Sequence, residues 1–343
     1  MRILLVTDSY IGREVFERAF QRLGADHEVR YAELDEGRES AESTVREYLG
    51  APGQIVELLR DEAALVVHAA PVPDRVLAAS PNLRLVGCAR GGPVNVDLEA
   101  ATARGIPVVT APGRNAEAVA DQTIAFMIML ARRFPLAQRM LLEADRPSVS
   151  TFEGGAFLGH DLRDHTLGLV GYGHVGRRVA ARARAFGMKV LFYDPLLVAE
   201  EAEGAEQVEG LAALVSRADF VSLHARATSE NENLFDAERF AAMKPGAYFV
   251  NTARETLVDE DALDAALAAE HIAGAALDVM RASDRIGPNP LLRHDNVVIT
   301  PHIGGATHET LSRGVQMVSE DVARFCAGEP LRHVANRDAV GYG

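Results

Sequence analysis

The sequence has little cysteine, no excess of positive charge and no long apolar run. Its 343 residues include two cysteines, Cys88 and Cys326, which lie far apart and lack the Cys-x-x-Cys or Cys/His spacing of a zinc site. We therefore expect two buried, reduced thiols and no bound metal. Basic residues number 35 against 49 acidic ones, a net charge of −14, so nucleic acids and anionic membranes are not expected partners.

The sequence also lacks a segment that would direct it to a membrane. Its longest apolar stretch, residues 124–130, is too short to cross a bilayer. The N-terminal MRILLVTD is typical of a β-strand rather than a signal peptide. These features predict a cytoplasmic protein. The chain is longer than a domain with one hydrophobic core usually is, and 48% of its residues are apolar, enough to fill two cores. We therefore expect two domains.

A strand, a glycine turn, a helix and a second strand are predicted within residues 166–195, TLGLVGYGHVGRRVAARARAFGMKVLFYDP. Gly171, Gly173 and Gly176 have the G-x-G-x-x-G spacing that accommodates a pyrophosphate. The first glycine permits the tight turn, the second lets the backbone approach the phosphates, and the third lets the helix pack on the strand. The helix N-terminus supplies unpaired N–H groups. The buried face of this helix is predicted to carry Val175, Val179, Ala183 and Phe186.

Asp194 ends the second strand of this unit. A carboxylate at this position accepts a hydrogen bond from a ribose 2′-hydroxyl and repels a 2′-phosphate. The next residues, Pro195, Leu196 and Leu197, supply no cation for such a phosphate. NAD is therefore predicted in preference to NADP.

Short apolar strands alternate with helix-length segments along most of the chain, which predicts an α/β fold with two doubly wound parallel sheets. Strands of the first domain are expected at residues 2–7, 28–31, 64–68, 83–88 and 107–109. Six strands of the second are expected at residues 167–170, 190–193, 220–223, 247–251, 274–278 and 297–300.

Two long helices are expected to connect these domains. The first, from about residue 116 to 133, has an apolar face broad enough for a core or a subunit interface. The second, roughly residues 307–327, returns the chain to the first domain. The first domain is therefore expected to be discontinuous, with the nucleotide domain inserted into it.

Polar residues follow several strands, where an open parallel sheet collects its ligands. In the first domain, His68 follows the third strand and Arg90, Gly91 and Gly92 form a bend after the fourth. The two glycine N–H groups can hold a carboxylate and Arg90 can add charge. An ordinary turn with a surface arginine is the alternative.

In the second domain the strand ends carry His224, Arg254 and His302. An arginine can clamp a carboxylate through two hydrogen bonds, and a histidine can take or return a hydroxyl proton. Each also has a structural explanation, Arg254 as a loop cap and His302 as a hydrogen-bonded core histidine. Their occurrence together on the sheet with the glycine fingerprint favours a catalytic role.

The chain resembles the D-isomer-specific 2-hydroxyacid dehydrogenases, most closely their D-3-phosphoglycerate dehydrogenase-like branch. Five blocks carry the resemblance in the family's order: CARGGPVNVD, GLVGYGHVGRRVA, MKPGAYFVNTARETLVDE, GAALDV and TPHIGGAT. The resemblance implies a Rossmann NAD-binding domain of residues 111–302. This domain would be inserted into a flavodoxin-like substrate-binding domain of residues 1–110 plus 303–343. It further implies a cleft between the domains and a homodimer formed by the NAD-binding domains.

The resemblance also implies roles for individual residues in hydride transfer between nicotinamide and C2 of a D-2-hydroxyacid or 2-oxoacid. Arg254 would hold the substrate carboxylate, with His302 as the acid/base. Gly91 and Gly92 would bind the carboxylate through their N–H groups, aided by His68 and Arg90, and Asp278 would bind the nicotinamide carboxamide. The three glycines, Asp194, Arg254 and His302 would also contact the coenzyme. Further coenzyme contacts would come from Tyr172, His174, Val175, Pro195, His224, Ala225, Thr252, Ala253 and Gly304.

The chain departs from the family at three places, one of which is Glu255 and Thr256 after Arg254, where the family commonly has two glycines. Where the family pairs its histidine with a glutamate, five positions after Asp278, this chain has Ser283, followed by Asp284. Three consequences stay open: Asp284 replaces the glutamate, His302 works unassisted, or the protein is a catalytically weak NAD-binding sensor. His68 replaces a phosphate-binding arginine of phosphoglycerate-specific relatives. We therefore expect a substrate other than 3-phosphoglycerate, with a sugar acid or another phosphorylated acid as candidates.

Overall fold

The chain divides into two compact units, each with its own parallel sheet. The computed structural model describes residues 1–23, 26–37, 41–143, 157–197, 202, 204–281, 289–337 and 341. Unit 1 consists of Met1–Asn115 and Ala306–Gly343, and unit 2 of Ala116–Gly305.

The sheet of unit 1 contains five strands among the described residues: β1 (Arg2–Thr7), β2 (Glu28–Glu33), β3 (Ala64–Val67), β4 (Leu85–Cys88) and β5 (Val108–Val109). They pair in parallel in the order β2-β1-β3-β4-β5, the flavodoxin-like order.

The sheet of unit 2 contains seven described strands: β6 (Thr166–Val170), β7 (Lys189–Tyr193), β8 (Glu206–Gln207), β9 (Phe220–Leu223), β10 (Tyr248–Asn251), β11 (Gly274–Leu277) and β12 (Val297–Ile299). All pair in parallel, in the order β12-β11-β10-β9-β6-β7-β8. This is the Rossmann order, with the reversal at β6 and one further strand. The predicted α/β class is confirmed. The prediction of six strands in this sheet is wrong, because the two-residue strand β8 is too short to show any alternation.

The described helices flank these sheets. They are α1 (Arg13–Phe20), α2 (Pro52–Leu58), α3 (Asp74–Leu77), α4 (Leu98–Ala103), α5 (Ala116–Ala131), α6 (Phe134–Glu143), α7 (His174–Ala185), α8 (Leu211–Val215), α9 (Ala237–Ala241), α10 (Glu260–Ala268) and α11 (His308–Cys326).

Both faces of the sheet in unit 1 are buried, because alternate side chains of each strand enter opposite cores. Leu4 and Val6 of β1 lie in one core, and Ile3 and Leu5 lie in the other, together with Val318 of α11. Gly87 in β4 lets this helix approach closely, since a Cβ there would lie 2.6 Å from Val318 Cγ1. Unit 2 likewise has one core on each side of its sheet.

Helix α5 ends earlier than predicted, and its apolar face is used inside unit 2. It stops at Ala131, and Arg133 has a left-handed backbone with φ of 54° before α6 begins. Ile124, Met127 and Leu130 belong to the core of unit 2. Of the two predicted uses of this face, the core is therefore the one observed.

The ends of two other helices differ from prediction by a single residue. Helix α7 ends at Ala185, so Phe186 is its C-terminal cap and is 45% exposed. The prediction that Phe186 lies on the buried face is wrong, whereas Val179 and Ala183 are buried. The prediction for α11 is residues 307–327, but Thr307 and Ala327 are its N-terminal and C-terminal caps. Thr307 Oγ1 accepts from the Thr310 N–H at 3.1 Å.

Candidate active site

The glycine turn between β6 and α7 has a shape that only glycine fits at two of its three positions. Gly171 has φ of 95°, and a Cβ there would lie 2.7 Å from the carbonyl carbon of His224 and from the N–H nitrogen of Ala225. A Cβ on Gly176 would lie 2.3 Å from the carbonyl oxygen of Gly171. At Gly173, by contrast, a Cβ would meet no described atom within 4 Å. The second glycine therefore leaves open space in front of the helix, as the approach of a pyrophosphate requires.

The other residues of the turn have different surroundings. His174 begins α7 and is exposed, and Val175 packs partly against the core. Tyr172 is 3% exposed, with its ring stacked on Phe192 at 4.1 Å. Its side chain thus belongs to the core of unit 2, which leaves its backbone for the turn.

Asp194 is fixed beside this turn by two backbone groups. Its Oδ2 accepts from the Tyr172 N–H at 2.8 Å, and its Oδ1 accepts from the Leu196 N–H at 3.0 Å. Pro195, next to it, is exposed. A carboxylate held in this way has acceptor capacity left for ribose hydroxyls.

Two arginines of α7 and two acidic residues of α5 join these helices. Glu117 accepts from Arg178 Nε at 2.5 Å and from Arg182 Nη2 at 2.7 Å, and Asp121 accepts from Arg182 Nε at 2.7 Å. The hydrogen bonds from Arg182 and Arg178 lower the pKa of Glu117 below its usual range. These pairs fix the orientation of α7 and hence of its N-terminus.

One register row runs across the sheet of unit 2 and aligns the strand ends. Its paired residues are Tyr193, Val170, Leu223, Asn251, Leu277 and Ile299. The residues that follow them are Asp194, Gly171, His224, Thr252, Asp278 and Thr300. The structure therefore brings the glycine turn and the predicted strand-end groups to the same edge of the sheet.

His224 and Ala225 follow β9 beside the glycine turn. His224 Nε2 lies 3.0 Å from Ser222 Oγ, and burial lowers the pKa of the imidazole to about 3. The ring is therefore neutral at physiological pH. It offers a hydrogen bond but no charge at this point of the edge.

The turn that presents Arg254 is built by Asn251, which sequence reasoning missed. Asn251 Nδ2 donates to the carbonyl oxygen of Arg254 at 2.9 Å, and the Ala253 N–H donates to Asn251 Oδ1 at 3.0 Å. Thr252 Oγ1 lies 3.2 Å from Thr123 Oγ1 of α5. The Arg254 side chain is exposed, so its guanidinium is accessible to a ligand.

Asp278 is a buried carboxylate surrounded by donors. It is 2% exposed and accepts at Oδ1 from Gln122 Nε2 (3.0 Å), Thr300 Oγ1 (2.5 Å) and the Ile303 N–H (2.9 Å). Its Oδ2 accepts from the Gly304 N–H at 2.7 Å. Gln122, another residue that sequence reasoning missed, also donates to Thr300 Oγ1 at 2.9 Å. The carboxylate thereby ties α5, β11 and the loop after β12 together.

His302 lies in that loop with a left-handed backbone. Its φ is 56°, uncommon for a residue other than glycine, and its N–H donates to the carbonyl oxygen of Asp278 at 2.8 Å. The side chain is exposed. A sparsely populated backbone held by its surroundings is typical of functional positions. The prediction of a buried core histidine, the alternative explanation, is wrong.

Ser283 and Asp284 lie outside the described residues. Within the described part of the chain, no side chain hydrogen-bonds to the His302 imidazole.

The predicted substrate groups of unit 1 lie at the carboxyl edge of its sheet. Gly91 and Gly92 are exposed, and a Cβ on Gly92 would meet no described atom within 4 Å. Arg90 donates to Glu47 through Nη2 at 2.5 Å. His68 is 7% exposed and its Nδ1 lies 3.0 Å from Oδ2 of Asp8, a residue that sequence reasoning missed.

The described residues contain neither a cluster suited to a metal ion nor a helix suited to a membrane. No group of three or more histidine, cysteine, aspartate or glutamate residues there is arranged to hold a metal ion. No helix in the same part of the chain combines the length and apolarity needed to cross a membrane.

Comparison with known proteins identifies the family. The family model of the D-isomer specific 2-hydroxyacid dehydrogenase NAD binding domain matches residues 124–304. The chain belongs to the D-isomer specific 2-hydroxyacid dehydrogenases. NAD is the cofactor, since the NAD binding domain of the family matches most of unit 2. The resemblance inferred from the five sequence blocks is confirmed.

Individual members of the family differ in how much of their length this dehydrogenase covers. It is 36% identical over 334 residues to the glyoxylate reductase of Korarchaeum cryptofilum, covering 96% of each chain. It is 38% identical over 290 residues to the D-3-phosphoglycerate dehydrogenase of Archaeoglobus fulgidus, covering 83% of this chain and 54% of that protein. The chain thus spans about half the length of that relative. The structure of the TT0316 protein from Thermus thermophilus superposes with a TM-score of 0.76 at 32% identity, covering 98% of this chain and all of that one.

Proposed function

We propose that the protein is an NAD-dependent oxidoreductase that moves a hydride between nicotinamide C4 and C2 of a D-2-hydroxyacid. The observation that carries this proposal is the register row of unit 2, which aligns the glycine turn with the strand ends that lead to Arg254, Asp278 and His302. The names of the relatives, a glyoxylate reductase and a D-3-phosphoglycerate dehydrogenase, support it. They give no support to the alternative of a catalytically weak NAD-binding sensor.

Each group has a role that follows from its chemistry. The exposed guanidinium of Arg254 clamps the substrate carboxylate and polarises the C2 oxygen. In oxidation the hydroxyl proton passes to the imidazole of His302, and in reduction it returns to the C2 oxygen. NAD, when bound, supplies or accepts the hydride. Unit 2 is the NAD-binding domain in this proposal, and unit 1 is the substrate-binding domain, with Gly91 and Gly92 as carboxylate donors.

A spectrophotometric assay of NADH oxidation tests the proposal. We expect turnover with at least one member of a panel of 2-oxoacids, including sugar-acid and phosphorylated examples. Replacing Arg254 by Gln would raise KM for the acid by a larger factor than it raises the dissociation constant of NADH. Binding of NADH without turnover of any panel member would contradict the proposal and favour the sensor.

The proposed mechanism also depends on whether a charged side chain assists proton transfer by His302. We propose that His302 works without a charged partner, because Ser283, which stands at the position of the family glutamate, carries no charge. Asp284→Asn would then leave the pH profile of kcat unchanged, whereas Ser283→Glu would shift it. A profile altered by Asp284→Asn would instead identify Asp284 as the replacement for the family glutamate.

We further propose that the protein is a homodimer formed through unit 2. Helix α6 exposes large apolar side chains, with Phe134 at 50%, Met140 at 48% and Leu142 at 76%. Exposed apolar groups of this kind mark interaction surfaces. Light scattering after gel filtration should give twice the chain mass, and Leu142→Glu should reduce it. Val56→Glu, at an exposed position of unit 1, is the matched control; a wild-type monomer would contradict the proposal.

We propose a cytoplasmic location on the basis of the thiols. Cys88 and Cys326 are both free of disulfides; Cys88 is buried, but Cys326 is only partly buried, so the expectation of two buried thiols is wrong for Cys326. Unpaired cysteines are typical of a reducing compartment.

A further inference from the structure

Arg114 follows β5 at the carboxyl edge of the sheet in unit 1 and has no anionic partner there. Its Nη2 lies 3.4 Å from His68 Nε2, a long contact for a hydrogen bond. Its Nη1 is buried without any hydrogen-bond partner. No ion pair joins its guanidinium to a carboxylate among the residues that the structure describes. A buried guanidinium N–H without an acceptor is unfavourable, so this group is suited to an anion that comes from elsewhere.

The fold holds the guanidinium in place. A Cβ on Gly314 of α11 would lie 2.9 Å from Arg114 Cδ and 3.1 Å from its Nη1, so the glycine makes room for the side chain. Arg313 Nη1 donates to the carbonyl oxygen of Arg114 at 2.5 Å. The position of Arg114 is therefore fixed from α11 as well as from the loop after β5.

The nearby carboxylate of Asp8 is already occupied. Its Oδ2 accepts from the Ala69 N–H at 3.0 Å and lies 3.0 Å from His68 Nδ1, and its Oδ1 accepts from the Tyr10 and Ile11 N–H groups at 3.0 and 2.9 Å. Because these partners place the proton of His68 on Nδ1, the Nε2 lone pair faces Arg114. Asp8 therefore orients His68 and is not a direct partner of the guanidinium.

Arg114 also differs from Arg90, the other cation at this edge. Arg90 donates to the carboxylate of Glu47 at 2.5 Å and to its carbonyl oxygen at 2.6 Å. Burial, followed by repulsion from Arg90, lowers the pKa of Arg114 to about 10. Arg114 is still protonated at neutral pH, so its positive charge is present and unneutralised.

The candidate carboxylate donors lie next to the loop that carries this cation. The Ala111 N–H donates to the carbonyl oxygen of Arg90 at 2.8 Å, which joins the loop of Arg114 to the bend of Gly91 and Gly92. A Cβ on Gly91 would lie 3.6 Å from the carbonyl oxygen of Ala111. An acid whose reacting carboxylate is held by the glycines would thus extend its far end along the same edge.

We infer that Arg114 is a specificity-determining residue that pairs with a second anionic group, a carboxylate or a phosphate, at the far end of the substrate. This inference rests on the proposed function and narrows its substrate class to 2-hydroxyacids that carry two anionic groups. His68 orients the guanidinium through Nε2, and the unpaired Nη1 and weakly bonded Nη2 are the donors that the second anion satisfies.

Two matched pairs of 2-oxoacids test the inference. 2-Oxoglutarate differs from 2-oxopentanoate by a terminal carboxylate, and 3-phosphohydroxypyruvate differs from hydroxypyruvate by a phosphate. Steady-state kinetics with NADH gives KM and kcat for each acid with the wild type, Arg114→Gln, Arg114→Lys and the control Arg104→Gln. Arg104, at the end of α4, forms an ion pair with the exposed Asp74. Calorimetric titration of the same acids in the presence of NAD⁺, which carries no hydride to transfer, measures binding without turnover.

We expect the wild type to prefer one doubly anionic acid over its matched partner, and the preferred pair identifies carboxylate or phosphate. Arg114→Gln should raise KM and the dissociation constant of that acid about tenfold or more, as loss of a charged hydrogen bond predicts. The singly anionic partner should be unaffected, Arg114→Lys should restore part of the preference, and Arg104→Gln should change nothing. Equal effects on both members of a pair, or no preference in the wild type, would overturn the inference. Binding of all four acids without turnover would instead contradict the proposed function, and the calorimetric preference would still decide the role of Arg114.

Discussion

His302 combines a left-handed backbone with an exposed imidazole at the end of β12. Its N–H is held by the carbonyl oxygen of Asp278, whose carboxylate in turn is held by Gln122 and Thr300. The conformation is thus imposed by hydrogen-bonded neighbours and not by the histidine itself. A substitution here must tolerate positive φ if it is to report on chemistry alone.

We predict that His302→Asn lowers kcat about 100-fold or more, because an amide cannot exchange a proton with the C2 oxygen. Asparagine accepts the left-handed conformation better than most residues, so the loop should keep its shape. The measurement is kcat from NADH oxidation together with a fluorescence titration of NADH, whose dissociation constant should change much less than kcat. His308→Asn, at an exposed position in the first turn of α11, serves as the control. A His302→Asn enzyme with wild-type kcat would exclude His302 as the acid/base.

Sequence spacing was sufficient to find the strand-end groups but not the residues that fix them. His302 could be found because it follows an apolar strand of the predicted sheet, whereas the role of Asp278 was implied by the resemblance to the family. Gln122 is 156 residues away from Asp278, and Asp8 is 60 residues away from His68. Such pairs depend on how helices and strands of distant sequence pack, and no local pattern encodes that packing. Arg114 was missed for the same reason, since His68, which its guanidinium contacts, lies 46 residues earlier in the sequence.

Asp8 leads to a prediction about pH. Burial by itself would raise the pKa of this carboxyl, but the hydrogen bond from His68 and those from two backbone N–H groups lower it overall. A carboxyl with a lowered folded-state pKa stabilises the fold above the unfolded value of about 3.9, and this contribution is lost as pH falls through the folded value.

Asp8→Asn should therefore destabilise the protein at pH 7, and its difference from wild type should shrink as the pH is lowered below about 4. Urea unfolding followed by circular dichroism at a series of pH values gives the two free energies of unfolding. The exposed Asp26 provides a control, and Asp26→Asn should show no such convergence. A difference that stays constant down to pH 3 would show that the Asp8 carboxylate does not contribute through its charge.

At the scale of elements, the strand, turn and helix of residues 166–185 form the best predicted part of the molecule. The spacing of the three glycines specifies both the turn and the helix start, so local sequence is sufficient. Element ends are harder to predict, because α5 stops at Ala131 and α7 at Ala185 through backbone geometry that the apolar pattern does not record. Gly173 and Gly176 have different surroundings, so substitutions at the two positions should have different effects.

We predict that Gly173→Ala and Gly176→Ala separate coenzyme binding from folding. The methyl group at 173 would enter open space and leave the melting temperature unchanged, but it would obstruct the pyrophosphate and weaken NADH binding about tenfold or more, equivalent to about 1.4 kcal/mol. At 176 it would collide with the carbonyl oxygen of Gly171 and destabilise the fold by about 1–3 kcal/mol. Thermal denaturation and NADH titration measure both effects. Normal NADH affinity in Gly173→Ala would place the pyrophosphate elsewhere.

At the scale of the whole molecule, two sheets of related strand order have different functional residues at their carboxyl edges. Unit 1 presents Gly91, Gly92 and Arg114, and unit 2 presents the glycine fingerprint with Arg254 and His302. The sheet orders agree with the sequence expectation because strand and helix alternation in a parallel fold admits few topologies. The assignment of coenzyme to unit 2 and substrate to unit 1 has a direct consequence for the intact chain.

NADH alone should slow hydrogen exchange mainly in unit 2. Ligand binding stabilises the folded state by mass action, by about 2.7 kcal/mol at a concentration 100 times the dissociation constant, and the effect is largest for the elements that contact the ligand. Exchange measured by mass spectrometry on the intact chain should show protection in peptides from residues 166–176, 189–197 and 220–225. Peptides from β1 and β2 should change least. The Gly173→Ala variant, with its binding weakened, should lose this protection at the same NADH concentration. Equal protection of both units in the wild type, or protection that persists in the variant, would mean that NADH does not bind at the glycine turn of unit 2.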